Sequence, residues 1–147
     1  MTSHKISEIE ITYRPQKYST AKVTNSQNAE VVFREFWDTG TIEYYEEFKV
    51  MYLNRGREVL GIYTHSKGGL VGAICDIRMI FQAALKANAH SIIVAHNHPS
   101  GNLEPSQADK DITRKIKEAG KILEIPVTDH LILTQSSYLS FADNGYL

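Results

Sequence analysis

The chain has 147 residues, 42% hydrophobic and 22% charged, which suits one globular domain, is too short for a TIM barrel of about 250 residues and is too apolar for a disordered chain. Sixteen Lys and Arg against seventeen Asp and Glu leave a formal charge of -1, so no global basic field exists to hold a phosphate backbone, and a nucleic-acid role would have to rest on a local patch. Cys75 is the single cysteine; it excludes an internal disulfide and any metal site of several thiolates, and it points to a reducing, cytoplasmic setting. Residues 1–12 lack the apolar run of a signal peptide, and no stretch of about 18 apolar residues predicts a membrane span.

In chain order, residues 6–14 alternate apolar and polar up to Pro15 and predict a half-buried strand. The signal over 16–24 is weak. Asn25 or Ser26 caps a predicted helix whose Ala29, Val32, Phe33, Phe36 and Trp37 fall on one face, with Gly40 as its stop. Residues 46–53 and 58–64 predict a hairpin turned over Asn54, Arg55, Gly56 and Arg57. Gly68 and Gly69 mark a loop, after which Asp76 caps a helix with Ile77, Ile80, Phe81, Ala84 and Leu85 on one side and Asn88 at its end. Residues 91–95 form a short apolar run of the kind found in a strand covered on both faces, and they deliver the chain to His96. A loop with prolines at 99 and 105 precedes a third helix that starts at Ser106, with Ala108, Ile112, Ile116 and Ala119 inward and Gly120 past its end. Strands are predicted at 121–125, 127–134 and 138–141. The pattern is that of a one-domain mixed α/β protein.

The densest chemistry lies in His96-Asn97-His98, followed by seven residues, Ser106, two residues and Asp109. Side chains two apart on an extended segment point to the same side, so the two imidazoles converge while Asn97 faces away. The intervening turn-bearing loop allows Asp109, in the first turn of the next helix, to fold back toward the strand end. Two imidazoles and a carboxylate suit Zn2+ and leave a fourth position open, the arrangement of a catalytic zinc. The same Ser106-to-Asp109 tetrad also has the S-x-x-D form of a helix cap, and a single His on a strand is more often structural. What strengthens the metal reading is the junction itself, where a buried strand ends and a helix begins.

Residues 96–109, His-Asn-His-Pro-Ser-Gly-Asn-Leu-Glu-Pro-Ser-Gln-Ala-Asp, resemble the H-x-H-x7-S-x2-D motif of the JAB/MPN (JAMM) metalloprotease superfamily. Within it, H-N-H-P-S-G followed by P-S-x-x-D resembles the RadC branch. The similarity continues through Asp129-His130-Leu131-Ile132 and on to Asp143, and it covers roughly residues 43–147. The resemblance implies a JAB/MPN (cytidine-deaminase-like) fold, a mixed β-sheet flanked by helices, with residues 1–40 as a strand-and-helix extension packed on a domain of 41–147. It also implies Zn2+ held by His96, His98 and Asp109, with the Ser106 hydroxyl near the metal-bound water and the reacting carbonyl.

Such enzymes also use an upstream glutamate at the start of a strand as general acid/base. The E-x-F-x-x-x-x-L spacing favours Glu46, with Glu43 and Glu47 as competitors; Glu46 shares a strand face with Phe48, Val50 and Tyr52. The implied activity is hydrolysis of a peptide or isopeptide bond, on a peptide or protein substrate that the motif does not name.

Two other classes compete. One is DNA association, after the DNA-repair label of the RadC branch. Longer members carry a helix-hairpin-helix segment, whereas the first 45 residues here show only a strand and a helix, and the charge is balanced. The other is a catalytically silent JAB/MPN interaction module, against which the retained ligand types speak. An HNH nuclease is excluded because that name describes dispersed residues, a cupin by the three capped helices, and a cytidine deaminase by the lone Cys. No membrane partner is expected, and an exposed hairpin edge allows an oligomer. His130, beside Asp129, reads as a structural hydrogen-bonded pair or a support to the site. His4, His65 and His90 have no partners at metal spacing, and Cys75 reads as a small buried residue before a helix.

Overall fold

The computed structural model describes residues 3–15, 21–68 and 75–147. Asn25 caps α1 (Ser26–Arg34), its side chain accepting the Asn28 N–H, and Ala29, Val32 and Phe33 form the buried stripe of this helix. β1 (Glu47–Leu53) and β2 (Val59–Lys67) form the hairpin, with Arg57 at φ 64 in its turn. Asp76 caps α2 (Ile77–Lys86). β3 (Ser91–Asn97) is buried at every position, and α3 (Gln107–Leu123) starts at Ser106. β4 (Val127–Leu133) and β5 (Tyr138–Ser140) complete the elements among the described residues.

The five strands make one sheet in the order β2-β1-β3-β4-β5. All neighbours are antiparallel except β3 and β4, whose parallel pairing is possible because α3 carries the chain back across. Strand parity then divides the core in two. On one face Met51, Leu53, Ile93, Ala95, Leu131 and Leu133 pack against Phe33 and Trp37. On the other, Phe48, Val50, Tyr52, Ile92 and Val94 pack against Ile80, Phe81 and Ala84 of α2 and Ile116 of α3. The result is a mixed sheet flanked by helices on both faces, as expected. Among the described residues no helix is long and apolar enough to cross a membrane.

The first helix ends at Arg34, ahead of the expected stop at Gly40, and Phe36 stands 52% exposed and not on its buried face. Two further expectations are corrected. Residues 6–14 form no strand, and Ile6, Ile9 and Ile11 stand exposed. Alternation favours a strand only where an edge receives its N–H and C=O groups. At the start of β2 that place is taken by Lys22, bridged to Glu58, with Val59 N–H on the Ala21 carbonyl, and residues 6–14 make no ladder with the rest of the edge. Tyr13 at the end of that segment reaches β2, its hydroxyl donating to the Leu60 carbonyl at 2.7 Å.

Residues 121–125 are not a strand either, because α3 runs through Gly120 to Leu123. Gly120 sits inside the helix because a Cβ there would run into the Ile125 carbonyl oxygen. The helix stops instead at Glu124, in the left-handed region at φ 58, with Ile125 N–H on the Gly120 carbonyl and Glu124 N–H on that of Lys121. Gly68 has the positive φ of a loop glycine; Gly69 lies outside the described residues.

Candidate metal centre

β3 ends on the α2/α3 side of the sheet, where His96 is its last inward-facing residue on that side and His98 follows just beyond the strand. The convergence expected from parity is present: His96 Nε2 and His98 Nε2 lie 3.0 Å apart. Asp109 closes the triangle, Oδ1 3.2 Å from His96 Nε2 and Oδ2 3.1 Å from His98 Nε2. One ligand atom from each residue falls within 4.8 Å of the others, so the group could hold a metal ion.

The capping and metal readings of Asp109 turn out to be compatible. Ser106 accepts the Asp109 N–H at 3.0 Å, and Asp109 Oδ2 accepts the Ser106 N–H at 2.9 Å, a reciprocal capping box. The cap therefore holds the carboxylate in the rotamer that faces the histidines. Burial pushes the Asp109 carboxyl up, but hydrogen bonds from His96 and His98 outweigh it and hold the group well below the usual carboxylate range. The same bond raises His98 above the ordinary histidine value, against burial.

The donor set suits a cation. His98 Nδ1 lies 2.6 Å from the Asn102 carbonyl oxygen, which can only accept, so in the neutral ring the proton sits on Nδ1 and the Nε2 lone pair faces Asp109 and His96, while the bond to Asp109 forms when Nε2 takes up a second proton. Electron pairs from nitrogen and oxygen thus meet at one point, and either a proton or a metal satisfies them.

Glu46 is half-buried just ahead of β1 and lines, with Phe48, His96, Asp109 and Ile112, a cavity of about 320 Å³. Glu43 is exposed. Glu47 points to the opposite face, where it is 4% exposed and lies 3.3 Å from Lys49 Nζ and 3.8 Å from Lys67 Nζ. Asn97, fully buried, holds this segment in place. Its Nδ2 donates to the carbonyls of Ile42 at 2.7 Å and Tyr45 at 2.9 Å, and its Oδ1 accepts the Glu47 N–H at 2.7 Å. The residue between the two histidines therefore fixes the backbone on either side of Glu46.

His130, fully buried on β4, reaches the site from below: Nε2 is 2.7 Å from His96 Nδ1, and Nδ1 is 2.6 Å from the Thr113 hydroxyl. Burial holds its pKa well below the usual histidine value. Its ring stacks on Phe141 at 4.5 Å and meets the edge of Phe48 at 5.9 Å. Asp129 instead receives the backbone N–H groups of His130 and Ala142 and the Ser140 hydroxyl, so the expected Asp129–His130 pair is a main-chain contact. Cys75 is half-buried at the cavity wall, and burial pushes its thiol up to about 12, away from thiolate character. His65 accepts the Asp76 N–H at 2.8 Å, while His4 and His90 are exposed.

A sequence model of the RadC-like JAB domain matches residues 23–146. The chain belongs to the RadC-like JAB domain family. Among similar proteins, a UPF0758 protein of Flavobacterium johnsoniae is 45% identical over 124 residues, 84% of this chain and 53% of its own length. A UPF0758 protein of Salinibacter ruber is 44% identical over 102 residues, 69% of this chain and 44% of its own length. UPF0758 protein STH371 of Symbiobacterium thermophilum is 40% identical with the same coverage of each chain, 69% and 44%. These names state no activity, and the chain spans about half the length of the curated relatives it matches. The RadC-like JAB match begins at residue 23 and so takes in α1, which packs directly on the sheet.

Within this RadC-like JAB domain, Asn97 and Thr113 were missed as contributors to the site. Asn97 carried only the signal of its parity, since its partners lie about 50 residues away. Thr113 carried a usable one, four residues after Asp109 and hence on the same helix face.

Proposed function

We propose that this RadC-like JAB domain is a zinc-dependent hydrolase of peptide or isopeptide bonds. The observation that carries the reading is the meeting of His96, His98 and Asp109 at a cavity whose wall Glu46 shares with His96 and Asp109. Their two nitrogens and one carboxylate oxygen, with no thiolate, suit a catalytic zinc held by three protein ligands. When bound, the ion supplies Lewis acidity and brings the pKa of water toward about 7.

The chain's own residues do the rest. Glu46, at the cavity wall, takes the proton of the attacking water and returns it to the leaving nitrogen. The Ser106 hydroxyl accepts the Asp109 N–H and keeps its own proton, which it donates to the carbonyl oxygen as negative charge develops there. Phe48, Ala108 and Ile112 make part of the cavity wall apolar and limit water around the reacting amide. The balanced charge of -1 favours a protein or peptide over a polynucleotide.

Metal analysis of the purified protein, with His96→Ala as control, and turnover of a panel of peptide and isopeptide substrates test the proposal together. One zinc per chain, lost in His96→Ala, with hydrolysis lost in Glu46→Ala, is the expected result. Zinc without hydrolysis of any substrate would favour a silent interaction module, and a wild type that takes up no zinc would end the reading.

A further inference from the structure

The hydrogen bonds around His130 have a direction that the atoms themselves impose. A carbonyl oxygen cannot donate, so the proton between the Asp109 carbonyl and the Thr113 hydroxyl, 2.6 Å apart, belongs to Thr113. That hydroxyl has no second proton, and toward His130 Nδ1 it therefore accepts. His130 is fully buried and its ring is hydrogen-bonded to no carboxylate, so it is neutral with its one proton on Nδ1. Its Nε2 lone pair then takes the Nδ1 proton of His96 across 2.7 Å. What remains is a bare His96 Nε2, facing His98 Nε2 and Asp109 Oδ1.

We propose that Thr113 and His130 are positioning residues of the metal centre: a one-way hydrogen-bond chain, anchored on the main-chain carbonyl of Asp109, holds His96 in the Nδ1–H tautomer and keeps its Nε2 free for the ion. The inference rests on the metal reading of the site and assigns residues to it beyond the three ligands. Both ligand histidines then end on a carbonyl oxygen. His98 reaches Asn102 directly. His96 lies inside β3, between β1 and β4, whose ladders occupy the nearby main-chain groups, and it reaches a carbonyl only through two side chains. Because that carbonyl belongs to Asp109, one residue supplies a ligand oxygen and also sets the tautomer of a second ligand. The stack on Phe141 keeps the His130 ring in the plane this requires.

Two readouts test it. In the metal-free wild type at pH 8, long-range proton–nitrogen NMR should report His96 as the Nδ1–H tautomer; an Nε2–H tautomer would overturn the proposal without any variant. Zinc affinity, read by chelator competition, should fall about 10- to 100-fold in Thr113→Val. There His130 loses its acceptor and is free to carry its proton on Nε2, which drives His96 to the Nε2–H form. Thr113→Ser, which keeps the hydroxyl, should restore both tautomer and affinity. A folded Thr113→Val protein with wild-type affinity and tautomer would overturn the proposal. A wild type that binds no zinc overturns the metal reading, and the tautomer measurement, which needs no metal, tells that failure from failure of this inference.

Discussion

Two clusters of ionisable groups sit back to back across β1 and β3, and adjacent glutamates belong to different ones. On the α1 side, Glu47 is buried with Lys49 and touched by the exposed Lys67, and Lys49 Nζ also lies 5.1 Å above the Trp37 ring and 2.9 Å from the Thr64 hydroxyl. This cluster carries its own cations and is complete. On the α2/α3 side, Glu46, His96, His98 and Asp109 bring carboxylates and imidazole lone pairs together with no lysine or arginine among the ligand groups. The difference teaches that burial of charge alone does not mark a site. The mark is a set of electron-pair donors that converge on one point and, among the described residues, pair with no lysine or arginine, although Lys115 lines the same cavity.

Variants can break this contrast in both directions. The largest effect should come from His96→Ala, which is expected to remove the metal from the protein and abolish turnover, as metal analysis and a hydrolysis assay would report. Glu46→Gln should keep the metal and lower kcat by about 10²- to 10⁴-fold; an unchanged kcat would remove Glu46 from the chemistry.

Across the sheet the prediction reverses. Lys49→Met leaves Glu47 buried beside a mostly exposed Lys67 and should cost about 3–5 kcal/mol in urea unfolding, with metal affinity unaltered. Loss of metal binding in that variant would show that the two clusters are coupled.

A pH series separates them further. His98 has a raised pKa in the metal-free fold, so its contribution to stability is complete below about 6.5 and fades as pH rises through the raised value. Asp109, with its depressed pKa, contributes above about 3.8 and loses that contribution as pH falls toward the lowered value. The metal-free protein should therefore lose stability from this pair as pH rises past 6.5. Zinc affinity should move the opposite way, gaining about tenfold per pH unit while one proton is displaced from His98. Parallel slopes in the two measurements would refute proton–metal competition at this site. The smallest effect belongs to Lys67→Ala: its side chain is 64% exposed, and loss of its contact with Glu47 should cost about 1 kcal/mol or less.

Much of the site was legible because it obeys short-range rules. The period of two placed His96 and His98 together, and S-x-x-D placed Asp109 in the first turn of a helix, so three ligand candidates lay within 14 residues of sequence. The same parity separated Glu46 from Glu47. What sequence could not supply was long-range pairing. Asn97 was correctly faced away from the histidines, but its hydrogen bonds run to residues 42, 45 and 47. Adjacency in sequence pairs His130 with Asp129, while its ring bonds lie 17 and 34 residues away.

The errors in the fold have the same source. Residues 6–14 have a strand's alternation but pair with no strand, and the helix at 121–123 continues past a glycine whose missing Cβ lets it approach Ile125.

The Asn97 amide has a consequence for how the molecule comes to be competent at all. It joins segments 50 to 55 residues apart in the chain, and such contacts form only after a long loop has closed, an entropic step that local helices and turns do not face. A partly folded chain can already carry Ser106 and Asp109 in their capping box, since that contact spans three residues. Glu46 joins them only once β1 and β3 have zipped together. The local capping box can thus form before the sheet, whereas Glu46 reaches the site only with it, so on the proposed reading a nascent or locally unfolded chain lacks its proton-transfer group until β1 and β3 are paired.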